Sequence, residues 1–249
     1  MIGRTRWRFR EVGSTQDVGW RLAELGAPHG TIVRADYQSA GRGRQGRSWE
    51  VPANTALMYS VVLRPNVPLH LLGPLSIQLA TVLCDSFERA SANDVALKWP
   101  NDVLIGGRKV SGILVQTRAM PDVVAIAGIG INISAPSEAL PPTATSLVAA
   151  TGCDIDVESL FDDILSGIGQ MLSTWEAELS SHQVREINNR LWLNGQQVTL
   201  LDADREITGT IAGVSPNGGL RLVVDGTERT IFAGEITRGP RPIEPVVKP

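Results

Sequence analysis

The chain has 249 residues, 43% hydrophobic and 20% charged, enough for one large domain or a medium and a small one. Its net charge of −3 disfavours a protein that holds long nucleic acid by its phosphates, so any cationic run reads as a local anion site. Two distant cysteines (Cys84, Cys153) and three scattered histidines (His29, His70, His182) form no disulfide framework or metal spacing, and no apolar stretch suits a membrane span or signal core, so a reducing cytoplasm is the expected location.

Residues 6–12 alternate and predict a short strand. Gly13-Ser14-Thr15-Gln16-Asp17 follows, then Val18, Trp20, Leu22, Ala23 and Leu25 at helical spacing, with Ser14 or Thr15 as N-cap. Those hydroxyls serve either capping alone or a polar ligand at the helix N-terminus. After the turn at 26–30, a strand over 31–37 leads into the loop 36–49. There Gly41, Gly43 and Gly46 alternate with Arg42, Arg44 and Arg47, and Trp49 closes the run. Glycine lets backbone and ligand approach closely, and arginine forks suit phosphate or carboxylate, so this reads as a mobile cationic loop that orders when an anion arrives. Gly41 to Gly46 also spells G-x-G-x-x-G. A dinucleotide site needs a buried strand before it and a helix after it, whereas Pro52 and Asn54 argue against the helix.

A strong strand over 55–63 precedes a buried helix over 71–90, carried by Leu72, Leu75, Leu79, Val82, Leu83 and Phe87. Residues 95–99 form a strand ending at Pro100-Asn101-Asp102. Residues 103–117 form a hairpin about Gly106-Gly107. The strand over 123–133 is interrupted by Gly128 and Gly130, which mark close approach of a ligand or another backbone. A proline-rich loop spans 134–144, and helices span 157–179 and 181–193. Short strands at 197–201, 206–212, 220–224 and 227–232 predict an antiparallel SH3-like barrel. The expected division is a catalytic unit over 1–194, a barrel over 195–238 and a loose proline-rich tail over 239–249.

Four clusters can carry chemistry: the arginine loop, Lys98-Trp99-Pro100-Asn101-Asp102, Lys109 with Ser111 and Gly112, and Gly128 to Asn132. On a regular strand Lys109 shares a face with Ser111, Ile113 and Val115. An ammonium there needs an anion, unless Lys109 is simply the strand's exposed start. Asp102 and Asn132 have plain alternatives as turn or capping residues. No Ser–His–Asp or Cys–His set stands out. Cations, one carboxylate, amides and glycine-lined strands suit catalysis by positioning and charge stabilisation at a phosphoryl or acyl-phosphate centre.

These pieces resemble the biotin–protein ligases, in that family's order over residues 14–132: Ser14-Thr15, Gln38 with Gly41 to Arg47, Lys98 to Asp102, Arg108 to Leu114 and Gly128 to Asn132. Gly234-Glu235-Ile236 in the barrel also fits. The resemblance implies an α+β fold, with a mixed sheet packed on helices followed by the SH3-like barrel. It implies ATP-dependent activation of biotin to biotinyl-5′-AMP, with Mg²⁺, then transfer to a lysine of a biotin carboxyl carrier domain. Ser14, Thr15, Gln16, Gln38, Gly41, Arg42, Gly43, Arg44, Lys109, Gly112 and Gly128 are implied for biotin. Arg42, Arg44, Arg47, Trp49, Lys98, Asn101, Asp102, Lys109 and Asn132 are implied for ATP. Lys109, Arg42 and Arg44 are the implied catalytic groups, and Asp102 the implied support for Mg²⁺ or the incoming lysine. Some members carry an N-terminal DNA-binding helix-turn-helix. This chain starts almost at once with the catalytic strand, so no operator or membrane binding is expected, and a weak or ligand-dependent homodimer stays open. The 134–144 loop lacks the tryptophan some members place beside adenine.

Overall fold

Two sheets organise the computed structural model, which describes residues 2–120, 122–202 and 205–238. The larger has seven strands: β1 (Arg6–Val12), β2 (Thr31–Gln38), β3 (Ala56–Leu63), β4 (Val95–Lys98), β5 (Asp102–Ile105), β6 (Arg108–Met120) and β7 (Asp122–Asn132). Their spatial order is β1-β2-β3-β7-β6-β5-β4, with β1 and β2 parallel and all other neighbours antiparallel. The helices are α1 (Thr15–Glu24), α2 (Leu75–Arg89), α3 (Leu147–Thr151), α4 (Val157–Ser173) and α5 (Ser181–Arg190).

Strand β3 shows how the sequence dictates the layers. Successive side chains point to opposite faces. Leu57, Tyr59 and Val61 join α2 and α4 residues such as Leu83, Phe87, Phe161 and Ile164 in the main core, while Val62 packs under α1 with Trp20, Ala23 and Ile126. Burial on both faces explains why this strand reads as a continuous apolar run.

The smaller sheet comprises β8 (Gln197–Asp202), β9 (Arg205–Val214), β10 (Leu220–Val224), β11 (Thr227–Ile231) and β12 (Glu235–Arg238), in the antiparallel order β11-β10-β9-β8-β12. Its Val198, Leu200, Ile211, Leu220 and Leu222 belong to the same apolar cluster as the main core. Trp99 is 2% exposed and its indole N–H donates to Gly218 O at 3.0 Å; Trp192 N–H donates to Leu97 O at 2.8 Å. The small sheet therefore buttresses β4 and the turn after it.

Several boundaries differ from the sequence expectations. The helix expected over 71–90 starts at Leu75, because Leu69–Leu72 forms a separate 3-10 turn and Pro74 takes the N-cap. The helix expected to run to 179 stops at Ser173, where the hydroxyls of Ser173 and Thr174 turn back onto Gln170 O. The next ends at Arg190, not at 193, as Leu191 turns to extended backbone. Helix α3, the 3-10 turn Ser137–Ala139 inside the expected loop, and the four-residue β12 were not foreseen. The expected tail over 239–249 lies outside the described residues.

Candidate active site

The site begins with a buried, uncharged pocket. Ser14 caps α1 in an extended conformation (φ −152°, ψ 136°), and its hydroxyl accepts from Gln16 N–H at 3.3 Å. The next free amide of the helix start, Thr15 N–H, donates to Gln38 Oε1 at 2.7 Å, and the Thr15 hydroxyl lies 3.1 Å from the same oxygen. Gln16 is only 2% exposed. Its amide donates to Leu114 O and Ile126 O, both at 3.1 Å, and its Oε1 faces the Ser60 hydroxyl at 3.1 Å. A Cβ at Gly128 would come within 2.6 Å of that Oε1, so glycine is what admits Gln16 to the floor of the pocket.

Above this pocket lies a charged mouth. The loop expected to be mobile is folded here into a hairpin-like cover. Arg42 bridges Ser48, Gly43 N–H donates to Arg47 O at 2.7 Å, and Trp49 N–H donates to Gly41 O at 2.9 Å. Gln45 and Gly46 turn it through left-handed backbone (φ 55° and 75°). A Cβ on Gly41 would sit 2.3 Å from Trp49 O, which fixes glycine at the base of the loop. The indole of Trp49 lies over Gly130, whose Cβ would fall 2.6 Å from it.

Each loop arginine has a partner. Arg42 pairs with Asp17 at 2.8 Å, Arg44 donates to Asn101 Oδ1 at 3.0 Å, and Arg47 grips Glu235 of β12 with both of its terminal nitrogens. Burial pulls the Arg44 pKa below its ordinary value, against the opposing pull of Asp102 and Glu235. The Arg47 hydrogen bond draws the Glu235 carboxyl below its usual range. Lys98 is also lowered, chiefly by burial, with Asp102 pulling the other way, and its ammonium lies 5.5 Å from the Trp192 ring centroid.

Lys109 corrects the regular-strand reading. Between β5 and β6 the register slips: Val103 faces Ser111 but Leu104 faces Lys109, leaving Val110 as the extra residue of a bulge. Val110, Ile113 and Val115 stay with the main core. Lys109 instead leaves their face and shares the cleft side with Gly112, whose Cβ would meet Nζ at 3.0 Å. There Nζ stands 2.8 Å from Asp102 Oδ1, and 5.7 Å from the Trp49 ring centroid. That Asp102 oxygen is buried, and the contact lacks hydrogen-bond direction, so the oxygen keeps an unfilled acceptor. The Lys109 backbone is clasped from outside, its N–H donating to Thr143 O and its carbonyl accepting from Thr145 N–H, each at 2.8 Å.

A polar recognition pocket thus opens into a cluster of aimed cations around one carboxylate. Such an arrangement can orient a small neutral head group and stabilise charge that builds up at an attached carboxylate and a phosphoryl group. Among the described residues, no group of three or more His, Cys, Asp and Glu is placed to hold a metal ion.

A family model described as the biotin/lipoate A/B protein ligase family matches residues 9–133. The chain belongs to that family. A second model, the biotin protein ligase C terminal domain, matches residues 194–239. The biotin--[acetyl-CoA-carboxylase] ligase of Mycobacterium tuberculosis is 30% identical, over 92% of this chain and 89% of that protein. The bifunctional ligase/repressor BirA of Bacillus spizizenii is 39% identical over 62% of this chain, and the match spans about half, 49%, of that relative's length. Among solved structures, the biotin protein ligase from Aquifex aeolicus in complex with biotin and ATP superposes with a TM-score of 0.80 at 32% identity, covering 94% of this chain and 98% of that one.

The family motifs read from the sequence converge in space. Ser14, Thr15, Gln16, Gln38, Arg42, Gly43, Arg44, Trp49, Asn101, Lys109, Gly112 and Gly128 line one cleft. Arg47, Lys98 and Asp102 line its charged end together with Glu235. Gly41 lies at the base of the loop, and Asn132 stands behind the cleft wall, with its Nδ2 donating to Thr145 O at 3.0 Å and its Oδ1 buried without a partner. Sequence reading missed Ser60 and Trp192, and gave Asp17, Leu114 and Glu235 no role. Only Ser60 left a signal, as the one serine inside the apolar run of β3.

Proposed function

We propose that this protein is a biotin–protein ligase. It activates biotin with ATP to biotinyl-5′-AMP and pyrophosphate, then transfers biotin to a lysine on a biotin carboxyl carrier domain and releases AMP. The observation that carries this reading is the continuity of the site. A neutral, amide-rich pocket sized by Gly128 runs directly into Lys109, which stands at 2.8 Å from Asp102 under the arginine loop. In this reading Thr15, Gln16 and Gln38 hold the ureido ring. Arg42 and Arg44 wrap the carboxylate and phosphates, and Lys109 neutralises charge growing between the attacking carboxylate and the α-phosphate. Loss of pyrophosphate completes the first step. In the second, the carrier amine attacks the acyl carbon, AMP leaves, and in this reading Asp102 takes the proton. No covalent enzyme intermediate is required.

A Mg²⁺ ion fits this donor set only as a nucleotide-borne ion. Asp102 offers one carboxylate with an unfilled oxygen, and magnesium commonly uses one or two carboxylates alongside substrate phosphates. Bound so, it would offset phosphate charge. Residues 1–194 serve as the catalytic unit and 195–238 as the barrel that braces its charged end, in a reducing cytoplasm and without DNA.

The test incubates the protein with ATP, Mg²⁺, a carrier domain and either labelled biotin or labelled lipoate. Label on the carrier from biotin and not from lipoate is the expected result. Labelling by lipoate alone, or none with either, overturns the reading.

A further inference from the structure

Two of the three loop arginines face carboxylates, Arg42 on Asp17 and Arg47 on Glu235. Arg44 is different. It is half-buried where the other two are exposed, and its partner is neutral: Nη1 donates to Asn101 Oδ1 at 3.0 Å. Arg44 and Asn101 each line both the recognition pocket and its charged end, so the pair stands at the junction of the two.

Asn101 is itself firmly held. Its Nδ2 donates to Ile113 O at 2.9 Å, and its backbone carbonyl accepts from Ile113 N–H at 3.0 Å, a two-point clasp onto β6. Both neighbours fix the amide the same way round. The reverse orientation would set its oxygen against the Ile113 carbonyl and its N–H groups against the guanidinium. Asp102 and Glu235 both act on the Arg44 charge. Without the amide oxygen, the guanidinium is free to swing to one of these carboxylates. It would then offer a ligand a partly neutralised charge from a different place.

We infer that Asn101 is a positioning residue: it fixes Arg44 at the junction through a neutral oxygen, so that this guanidinium keeps its full charge for an anionic ligand oxygen. The inference rests on the proposed function, in which Arg44 wraps the biotin carboxylate and the phosphates. The resemblance assigns Asn101 to ATP, whereas here its side chain is spent on Arg44 and on Ile113 O. Arg42 and Arg47 must each leave a carboxylate before taking a phosphate oxygen. Arg44 gives up no ion pair, and a group already aimed where charge develops needs no rearrangement at the moment of reaction.

The test is a double-mutant cycle read by biotin-dependent adenylate formation in wild type, Asn101→Ala, Arg44→Ala and the double variant, with Asn101→Asp alongside. Arg44→Ala should lower the rate by ~10²–10³. Asn101→Ala should lower it by ~10–10², the cost of a misplaced group. In the Arg44→Ala background, however, Asn101→Ala should cost less than about twofold more, because a residue that acts through Arg44 has nothing left to hold. Asn101→Asp keeps an oxygen for Arg44 but makes it a carboxylate, and should be slower than Asn101→Ala. A wild-type rate in Asn101→Ala overturns the inference. So does an equal fold-loss on Asn101→Ala in both backgrounds, the mark of a direct ligand contact or a merely structural residue. An Asn101→Asp rate equal to or above that of Asn101→Ala overturns the claim that the neutral partner matters. Failure of wild type to form an adenylate from biotin, or a wild-type rate in Arg44→Ala, would instead defeat the proposed function or its use of Arg44, and would be seen before any Asn101 variant was compared.

Discussion

The two ends of the cleft are built on opposite physical principles. At the pocket end, Ser14, Thr15, Gln16 and Ser60 are all buried, and nearly every polar atom is tied to backbone or to a neighbouring side chain. At the mouth, Arg42, Arg47 and Lys109 are held by single carboxylates on three different elements, Asp17 on α1, Glu235 on β12 and Asp102 on β5. Buried, satisfied networks make a rigid and selective shape. Exposed ion pairs contribute little stability and exchange partners readily. In the proposed function, selectivity is accordingly stored in the pocket and charge in the mouth, where arginines paired with carboxylates would be handed over to phosphate oxygens.

Breaking the mouth at its centre should have the largest effect. Lys109→Ala removes the cation closest to the proposed reacting atoms, and should lower the rate of adenylate formation by ~10²–10³. Because this ammonium is only part-buried, far-UV circular dichroism and the melting temperature should stay near wild type. Wild-type biotin-dependent pyrophosphate release from this variant would reject the assignment.

Breaking the pocket should give a different signature. In Gly128→Ala the new Cβ would press within 2.6 Å of Gln16 Oε1, whose amide is pinned to two backbone carbonyls. Overpacking of this kind typically costs about 1–3 kcal/mol. Both melting temperature and biotin affinity should fall, while the ATP affinity measured without biotin holds. Equal loss of both affinities would show that pocket and mouth are not separable.

The smallest effect should come from the loop's outer anchor. Glu235→Gln removes one charge of a pair in which Arg47 is well exposed, and should change turnover only several-fold. Hydrogen exchange over residues 40–49 should become faster than in wild type. The pH dependence follows from the depressed Glu235 carboxyl. A carboxylate stabilised when folded contributes above its ordinary value of 4.5, and that contribution is lost as pH falls through the lower folded value. Wild type and Glu235→Gln should therefore differ at neutral pH and converge in acid. Identical exchange at pH 7 would remove the barrel from control of the loop.

The same contrast explains what the sequence revealed. Local chemistry was legible: the Ser14 cap and the Gly106-Gly107 turn mark their own conformations, and Gly128 and Gly130 mark the close approach of Gln16 and Trp49. Features set by pairing across long separations were not. The bulge at Val110 that carries Lys109 to the side of Gly112 depends on how β5 registers with β6. The roles of Ser60, Trp192 and Glu235 depend on strands and loops that meet only after folding. A period-2 pattern could place Lys109 on a strand but could not say which face a bulge would give it.

The most direct measurement is exchange of labelled pyrophosphate into ATP, with biotin or lipoate as the only acid present. Exchange that requires biotin, that lipoate does not support and that Lys109→Ala abolishes is the expected result. Exchange supported by lipoate in place of biotin, or undiminished in Lys109→Ala, would contradict the assignment of this cleft to biotin activation.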